Sequence, residues 1–376
     1  MKQTALQGKV AIAGVGTTMQ GLHPQRHPYG LAVDALRAAL DDSGVTLDAI
    51  DGVVGYAFHT EGTDPLDLCR FLGLSPRVTA YIDYGAGGFT LQHAAMLVAT
   101  GVCQTVAAVF ARTPAGSMVD FTGLPNVFDK ADGLVNGALP AALGWSSYMA
   151  RYGVPDGALA PVAVSQKRWA NLNPIAAWKG DLTQQQYLAS PFVIWPFREW
   201  DIARVTAGGA AFIVTSAERA KDLRKKPVYF HAVGRQQTPC TLESEGFLLM
   251  KDAMGKVAEQ VYGAAGLSPD DVDILYASDA SSAAVAQTIE NYGFCGEGEV
   301  AQFIKNGRME PGGGLPVNTG GGQLSEGYMV GWLHHAELVR QLRGEGGARQ
   351  VAGARVAQYT ATGRFRNDFL STIFVS

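Results

Sequence analysis

The chain has 376 residues, 47% of them hydrophobic and 17% charged, with a formal net charge of −4. That length supports ample core in one large unit or two packed ones, and the mild acidity excludes a basic surface for nucleic acid or anionic membrane. No apolar run reaches a membrane span and no secretory signal is visible. The four cysteines, Cys69, Cys103, Cys240 and Cys295, are too scattered for a disulfide framework or zinc site, so a cytoplasmic protein with reduced thiols and no metal is expected.

In chain order, the apolar run Val10–Val15 reads as a strand. Ala32, Leu36 and Leu40 recur at helical spacing, and Gly44 closes that helix. Ile50–Val54 is the next strand. Leu91, Ala94, Ala95 and Val98 share a helix face that stops at Gly101, and Val106–Phe110 is another buried strand. Strands alternating with helices predict a mostly parallel sheet in an α/β fold. From about residue 113 to 200 the rhythm breaks into a stretch rich in Pro, Trp and polar residues, read as an inserted loop domain carrying helices. Strands return at Ala210–Val214 and Val228–Ala232. A helix through Val257 and Val261, a strand at Val272–Leu275 and a helix holding Val285 and Ile289 follow. A glycine-rich loop then leads to a long helix ending at Leu342, and strands at Arg355–Tyr359 and Phe369–Val375 close the chain.

An internal repeat is visible. GVTLDAID, Gly44 to Asp51, matches GLSPDDVD, Gly266 to Asp273, each between a helix and a strand. A weaker echo pairs Gly87-Gly88 with Gly321-Gly322, each at the start of a helix. Helices that begin at such glycines aim their first N–H groups at whatever lies in front, a suitable place for an oxyanion; the same glycines also permit close helix packing.

A duplicated α/β half of this size resembles the thiolase fold, and the C-terminal motifs make the resemblance specific. DVDILYASDASSAAVAQTIENYGFCGEGE, Asp271 to Glu299, resembles the sterol-carrier-type thiolase segment "ELHD…YEALGLCPEGE". PVNTGGGQLSEGYMVG, Pro316 to Gly331, resembles "NPSGGLISKGHPLGATG". Upstream, Tyr148 to Pro174 is similar to the family's "RYG" loop-domain helix and "NNP" turn. The resemblance covers nearly the whole chain. It implies a layered α-β-α-β-α arrangement, with an N-terminal half at 1–226 that includes the loop domain at about 113–200, and a C-terminal half at 227–376.

The departures carry the functional reading. A working thiolase attacks with a cysteine at the start of its first glycine-led helix; here that stretch is IDYGAGGFT, Ile82 to Thr90, and the lost cysteine falls near Tyr84 or Gly85. The histidine of "GHP" is Tyr328 and that of "ELHD" is Ser278. All seven histidines, at 23, 27, 59, 93, 231, 334 and 335, lie away from these positions, so a thiol activated by histidine is not available by homology. This pattern resembles the thiolase-like aldolases of steroid side-chain degradation, often termed lipid-transfer proteins. They cleave a β-hydroxyacyl-CoA by retro-aldol reaction and form no acyl-enzyme.

The resemblance implies a homodimer, no cofactor beyond the CoA of the substrate, and a separate OB-fold (DUF35) partner, sometimes fused to a MaoC-like hydratase. Retro-aldol cleavage needs a base for the β-hydroxyl proton, a place for the enolate and an acid for the new acyl-CoA carbon. Tyr292 and Tyr328 are the expected catalytic residues, with Ser278 and Asp279 as support and backbone near Gly321 and Gly363 as oxyanion donors. From helical spacing Tyr292 also reads as a buried core tyrosine, and Ser278, just before the Ser281-Ser282 helix, as a solvated or capping serine; the resemblance implies a structural part for Asp279 as an alternative. Tyr328 is expected at the N-terminus of the long helix. Trp169, Trp178, Trp195, Phe197 and Trp200 read either as loop-domain core or as a face for a flat acyl group. Two rival readings are a thiolase or acyltransferase whose nucleophile is Cys69 or Cys103, and a non-catalytic scaffold subunit.

Overall fold

The computed structural model describes residues 6–22, 26–57, 63–83, 86–113, 138–238, 250–363 and 368–376; Tyr84, Gly85 and Cys240 fall outside them. The N-terminal part runs β1 (Val10–Thr17), α1 (Pro28–Ser43), β2 (Gly52–Ala57), α2 (Pro65–Leu72), β3 (Val78–Asp83), α3 (Gly87–Ala99) and β4 (Thr105–Arg112). Then come α4 (Ala138–Tyr152), α5 (Ala160–Asn171), α6 (Gln184–Ala189), the short pair β5 (Phe192–Ile194) and β6 (Phe197–Arg198), β7 (Gly208–Ser216) and α7 (Ala217–Ala220). The remainder is β8 (Val228–Gln237), α8 (Lys251–Ala265), β9 (Ile274–Ala277), α9 (Ser282–Asn291), α10 (Val300–Phe303), α11 (Gly322–Ser325), α12 (Trp332–Arg343), β10 (Val356–Gly363) and β11 (Asp368–Val375).

The main sheet among the described residues has the order β3-β2-β4-β7-β1-β8-β11-β10-β9. The order is nearly palindromic about the β1–β8 junction, where only Ala11↔Tyr229 and Ile12↔Val228 pair. In each part a parallel pair (β2–β4, β9–β10) lies beside antiparallel ones. The duplication predicted from the repeat is therefore a duplication of topology. It extends to detail. Gly44 and Gly266 both cap their helices in the left-handed region, at φ 76° and 68°. Both copies then make a short 3-10 turn and end on an aspartate that anchors the first backbone groups of a neighbouring strand. Asp51 takes the N–H groups of Gln104 and Thr105, and Asp273 takes those of Arg355 and Val356.

Alternate side chains of the strands divide the core into layers. One face of β1, β2, β4 and β7 and one face of β8–β11 share a single apolar cluster with α3 and α12, which are sandwiched between them. The opposite face of the N-terminal strands is covered by α1 and α2, and that of β8 and β11 by α8. This is the expected α-β-α-β-α stack. The helices α4 and α5 pack with α9 and β9 in a further cluster at the edge.

Two elements were not legible in the sequence. Strand β3 is an edge strand whose residues 78–82 are half-buried or exposed, so it has no apolar run. Helix α2 is only eight residues long and is set by its N-cap, Asp64, whose carboxylate takes the N–H groups of Leu66 and Asp67.

Candidate active site

Helix α3 reaches the middle layer with its first turn at Gly87, and no side chain bonds to that turn from the cap position. Its packing is tight: a Cβ on Gly88 would lie 2.5 Å from Cε1 of Tyr359, on β10. The Gly87 N–H donates to Val330 O at 2.7 Å. The turn beside the expected site of the lost cysteine therefore touches the loop that carries Tyr328.

That loop, residues 326–331, joins α11 to α12. Tyr328 is half-buried in it, four residues before α12 rather than at its start, because α12 begins only at Trp332 behind its Gly331 cap. Arg112, at the end of β4 and 2% exposed, places its guanidinium 5.6 Å from the Tyr328 ring centroid. The only sequence signal for Arg112 was a charge ending an apolar strand.

Asp279 follows β9 and is fully buried. Oδ1 accepts from Gln323 N at 2.9 Å and from His334 Nε2 at 2.9 Å, and Oδ2 accepts from Leu324 N at 3.3 Å. A Cβ on Gly322, at φ 60°, would lie 2.0 Å from Asp279 Oδ2, so only glycine admits this carboxylate against the first turn of α11. His334 is the residue that sequence slots missed: distant in the motif, it meets Asp279 because α12 folds back under α11. Ser278 is half-buried beside it, with Gln323 Nε2 donating to its Oγ at 3.4 Å, and its N–H bonds Thr360 O on β10. The cap of α9 is Ser281, not Ser278.

Three sequence expectations move. The Gly321 N–H is committed to Asn318 O at 2.8 Å, so it is not an oxyanion donor. Gly363 lies at the C-terminal end of β10, paired with Asp368. Tyr292 is not brought to the site. It caps the C-terminal end of α9, a ten-residue helix whose other end adjoins Asp279, which puts it about 15 Å from that end at 1.5 Å per residue. Its ring packs with Met250, Met254, Val257 and Phe369 on the outer face of the sheet. Burial raises its pKa well above the ordinary tyrosine value, and its hydroxyl bonds Ser371. Ser371 in turn takes Gln358 Nε2 at 2.9 Å, and Gln358 Oε1 takes the Tyr262 hydroxyl at 2.8 Å.

The motif pieces meet in space. Asn173, of the "NNP"-like turn, donates to Gly320 O at 2.9 Å and to Glu326 Oε1 at 3.0 Å. The N–H groups of Ala177 and Trp178 bond the carbonyls of Glu326 and Ser325. Glu326 is fully buried; burial first, then the nearby Glu337 carboxylate, raises its pKa to about 8. Glu337 itself is held by both arms of Arg349, at 2.9 and 3.0 Å. On the outer face, Tyr152 of the "RYG" helix donates to Glu297 at 2.6 Å.

A family model described as thiolase C-terminal domain-like matches residues 239–376. A 17-hydroxy-3-oxo-4-pregnene-20-carboxyl-CoA lyase of Mycobacterium tuberculosis is 33% identical over 377 residues, 95% of this chain and 97% of the relative. The chain belongs to the thiolase-like aldolases. A steroid side-chain-cleaving aldolase of Thermomonospora curvata is 31% identical over 367 residues, 91% of this chain and 92% of the relative. A solved structure described as an Ltp2-ChsH2(DUF35) aldolase matches at a TM-score of 0.89 with 29% identity, over 99% of each chain.

Among the described cysteines this thiolase-like aldolase offers no poised thiol. Cys69 is buried under α1, and burial pushes its pKa up to about 11. Cys103 lies beyond the far end of α3, a thirteen-residue helix, about 20 Å from its first turn, with its pKa raised by burial. Burial likewise raises Cys295 to about 12. The loop-domain aromatics of the aldolase divide. Trp169 and Phe197 are core, and Trp195 is exposed. Trp178 and Trp200 flank the Arg204 guanidinium at 5.5 and 5.0 Å, with Lys167 Nζ 5.3 Å from the Trp200 ring. A charged cleft of about 390 Å³, lined by Lys251, Lys256, Glu259 and Glu290, opens beside α8. Among the described residues no cluster of His, Cys, Asp and Glu could hold a metal ion, and no helix is long and apolar enough to cross a membrane.

Proposed function

We propose that this aldolase cleaves a β-hydroxyacyl-CoA with a bulky, steroid-derived acyl group, releasing a ketone and a short acyl-CoA such as propionyl-CoA or acetyl-CoA. Tyr328, as its phenolate, accepts the β-hydroxyl proton and becomes the neutral phenol as the Cα–Cβ bond breaks. The bonding pair passes to the α-carbon and is shared with the thioester oxygen as an enolate, the β-carbon leaves as the ketone, and a proton returned to the α-carbon completes the acyl-CoA. The buried Arg112 guanidinium is complementary to negative charge on the phenol ring, and the positive end of the α3 dipole is complementary to the enolate. Ser278 lies beside Asp279, which holds the first turn of α11 in place. Tyr292 takes a structural part.

The observation that carries this reading is the Gly87–Val330 contact, which sets the Tyr328 loop against the helix turn where a thiolase would keep its nucleophile. Tyr328→Phe tests it. The expected outcome is a loss of about 10²–10⁴-fold in ketone release from a tertiary β-hydroxyacyl-CoA, with binding of the CoA thioester retained. Full activity in this variant would remove Tyr328 from the chemistry.

The aldolase is further proposed to work in the cytoplasm as a homodimer with a separate OB-fold (DUF35) polypeptide, which can carry a MaoC-like hydratase. The resemblance to a DUF35-associated aldolase structure supports the partner. The outer edge of β3, unpaired among the described residues, with Tyr81 55% exposed, supports strand pairing between two copies. Sedimentation of the purified chain at the mass of one copy would count against the dimer.

A further inference from the structure

The loop that presents Tyr328 contains an unusual backbone. Val330 has φ +45°, in the left-handed region that a β-branched residue rarely occupies. Gly331 follows at φ 85° and closes against Tyr359, whose hydroxyl lies 2.0 Å from where a Gly331 Cβ would be. A strained residue of this kind persists only when its surroundings over-determine it.

The surroundings are identifiable. The loop leaves α11 and enters α12, and one carboxylate grips both. Asp279 accepts the Gln323 and Leu324 N–H groups at the first turn of α11 and His334 Nε2 from α12. The pair is buried, with 1% and 0% of its side chains exposed, so water does not compete for the bond. Among the described residues His334 Nδ1 is buried without a hydrogen-bond partner, which leaves Asp279 as the ring's hydrogen-bond anchor, with Tyr276 and Tyr359 edge-on beside it. The Gly87 N–H holds Val330 O from α3.

We propose that His334 is a positioning residue: through Asp279 it clamps α12 to α11 and so holds the strained 326–331 loop in the conformation that presents Tyr328. This rests on the proposed role of Tyr328. His334 touches neither substrate nor the reacting atoms. Asp279 stays docked on α11 without it, but α12 loses its tie and Val330 relaxes toward the β region.

The test compares His334→Leu, His334→Gln and Val330→Gly by steady-state kinetics on the purified protein, with circular dichroism to confirm folding. His334→Leu is expected to lower kcat by about 10²-fold, the scale of a 1 Å misplacement, with KM unchanged. His334→Gln, which retains an N–H donor, recovers most of that loss. Val330→Gly, which removes the strain, partly restores activity when combined with His334→Leu. A parental kcat in folded His334→Leu overturns the clamp. So does a double variant no better than His334→Leu alone, because a histidine that merely supports the fold would not be compensated at Val330. If His334→Leu does not fold, His334→Gln is read alone against His334→Asn, whose shorter amide does not reach Asp279; equal kcat in the two overturns the proposal. Failure of the Tyr328 reading is separate: it appears as full activity in Tyr328→Phe, whatever the His334 variants do.

Discussion

The two glycine-led helices began as an echo of one another and became different devices. Helix α3 is long, buried in the middle layer, and meets the Tyr328 loop through a first turn with no side-chain cap. Helix α11 is a four-residue turn whose leading N–H groups are taken by Asp279. The N-terminal part thus keeps the thiolase helix and its field after losing the cysteine. The C-terminal part spends its glycines on bringing a carboxylate against the backbone. Elsewhere the halves remain close: the Gly44–Asp51 and Gly266–Asp273 segments cap, turn and anchor strands in the same way. Duplication survived where it supports the sheet and diverged where the reaction is proposed to occur.

The largest effect that would break this comparison is the loss of cleavage in Tyr328→Phe, since Tyr328 belongs to the diverged region. Next is a pH effect at Glu326. Its folded-state pKa is raised to about 8, mainly by burial. The unfolded chain therefore releases its proton first, near the ordinary value of about 4.3. The stability tied to the neutral acid is fully present below that value and is lost as pH rises through about 8. Glu326→Gln, which mimics the neutral acid and can still accept from Asn173, should match the parent in thermal unfolding near pH 4 and exceed it at pH 8 to 9. Equal melting temperatures throughout would mean that the carboxyl is not held neutral.

Smaller effects test the conserved part. Asp51→Ala and Asp273→Ala each free two strand-leading N–H groups and should each cost about 1–2 kcal/mol in denaturant unfolding. A large inequality between them would break the equivalence of the halves. The smallest expected change is in Tyr292→Phe, which loses one hydroxyl bond to Ser371 and about 1 kcal/mol. Its cleavage rate should stay within a few-fold of the parent. A collapse in rate without unfolding would return Tyr292 to the chemistry.

Much of the fold was legible. The buried strands Val10–Thr17, Thr105–Arg112 and Gly208–Ser216 announce themselves as apolar runs, because both faces are covered. The helices α1 and α3 announce themselves by period and closing glycine, α8 and α9 by period. The edge strand β3 did not, since an exposed edge leaves no apolar signature. The site was legible in kind and less so in composition. Tyr328 and Asp279 were singled out by their motif positions for the proposed site, yet Tyr292 has the same helical spacing whether it faces a substrate or a methionine-lined core.

By itself, the sequence determined the repeat, the alternation of strand and helix, the family pattern and the absence of its cysteine and histidines from their slots, all of which are local in the chain. Only the tertiary structure decided which polar groups meet. Arg112 reaches Tyr328, Asn173 reaches Glu326 and His334 reaches Asp279 across 216, 153 and 55 positions of sequence. Such contacts depend on which layer each helix enters and on the depth at which it packs. Periodicity gives the face a residue lies on, but not the partner that face will meet.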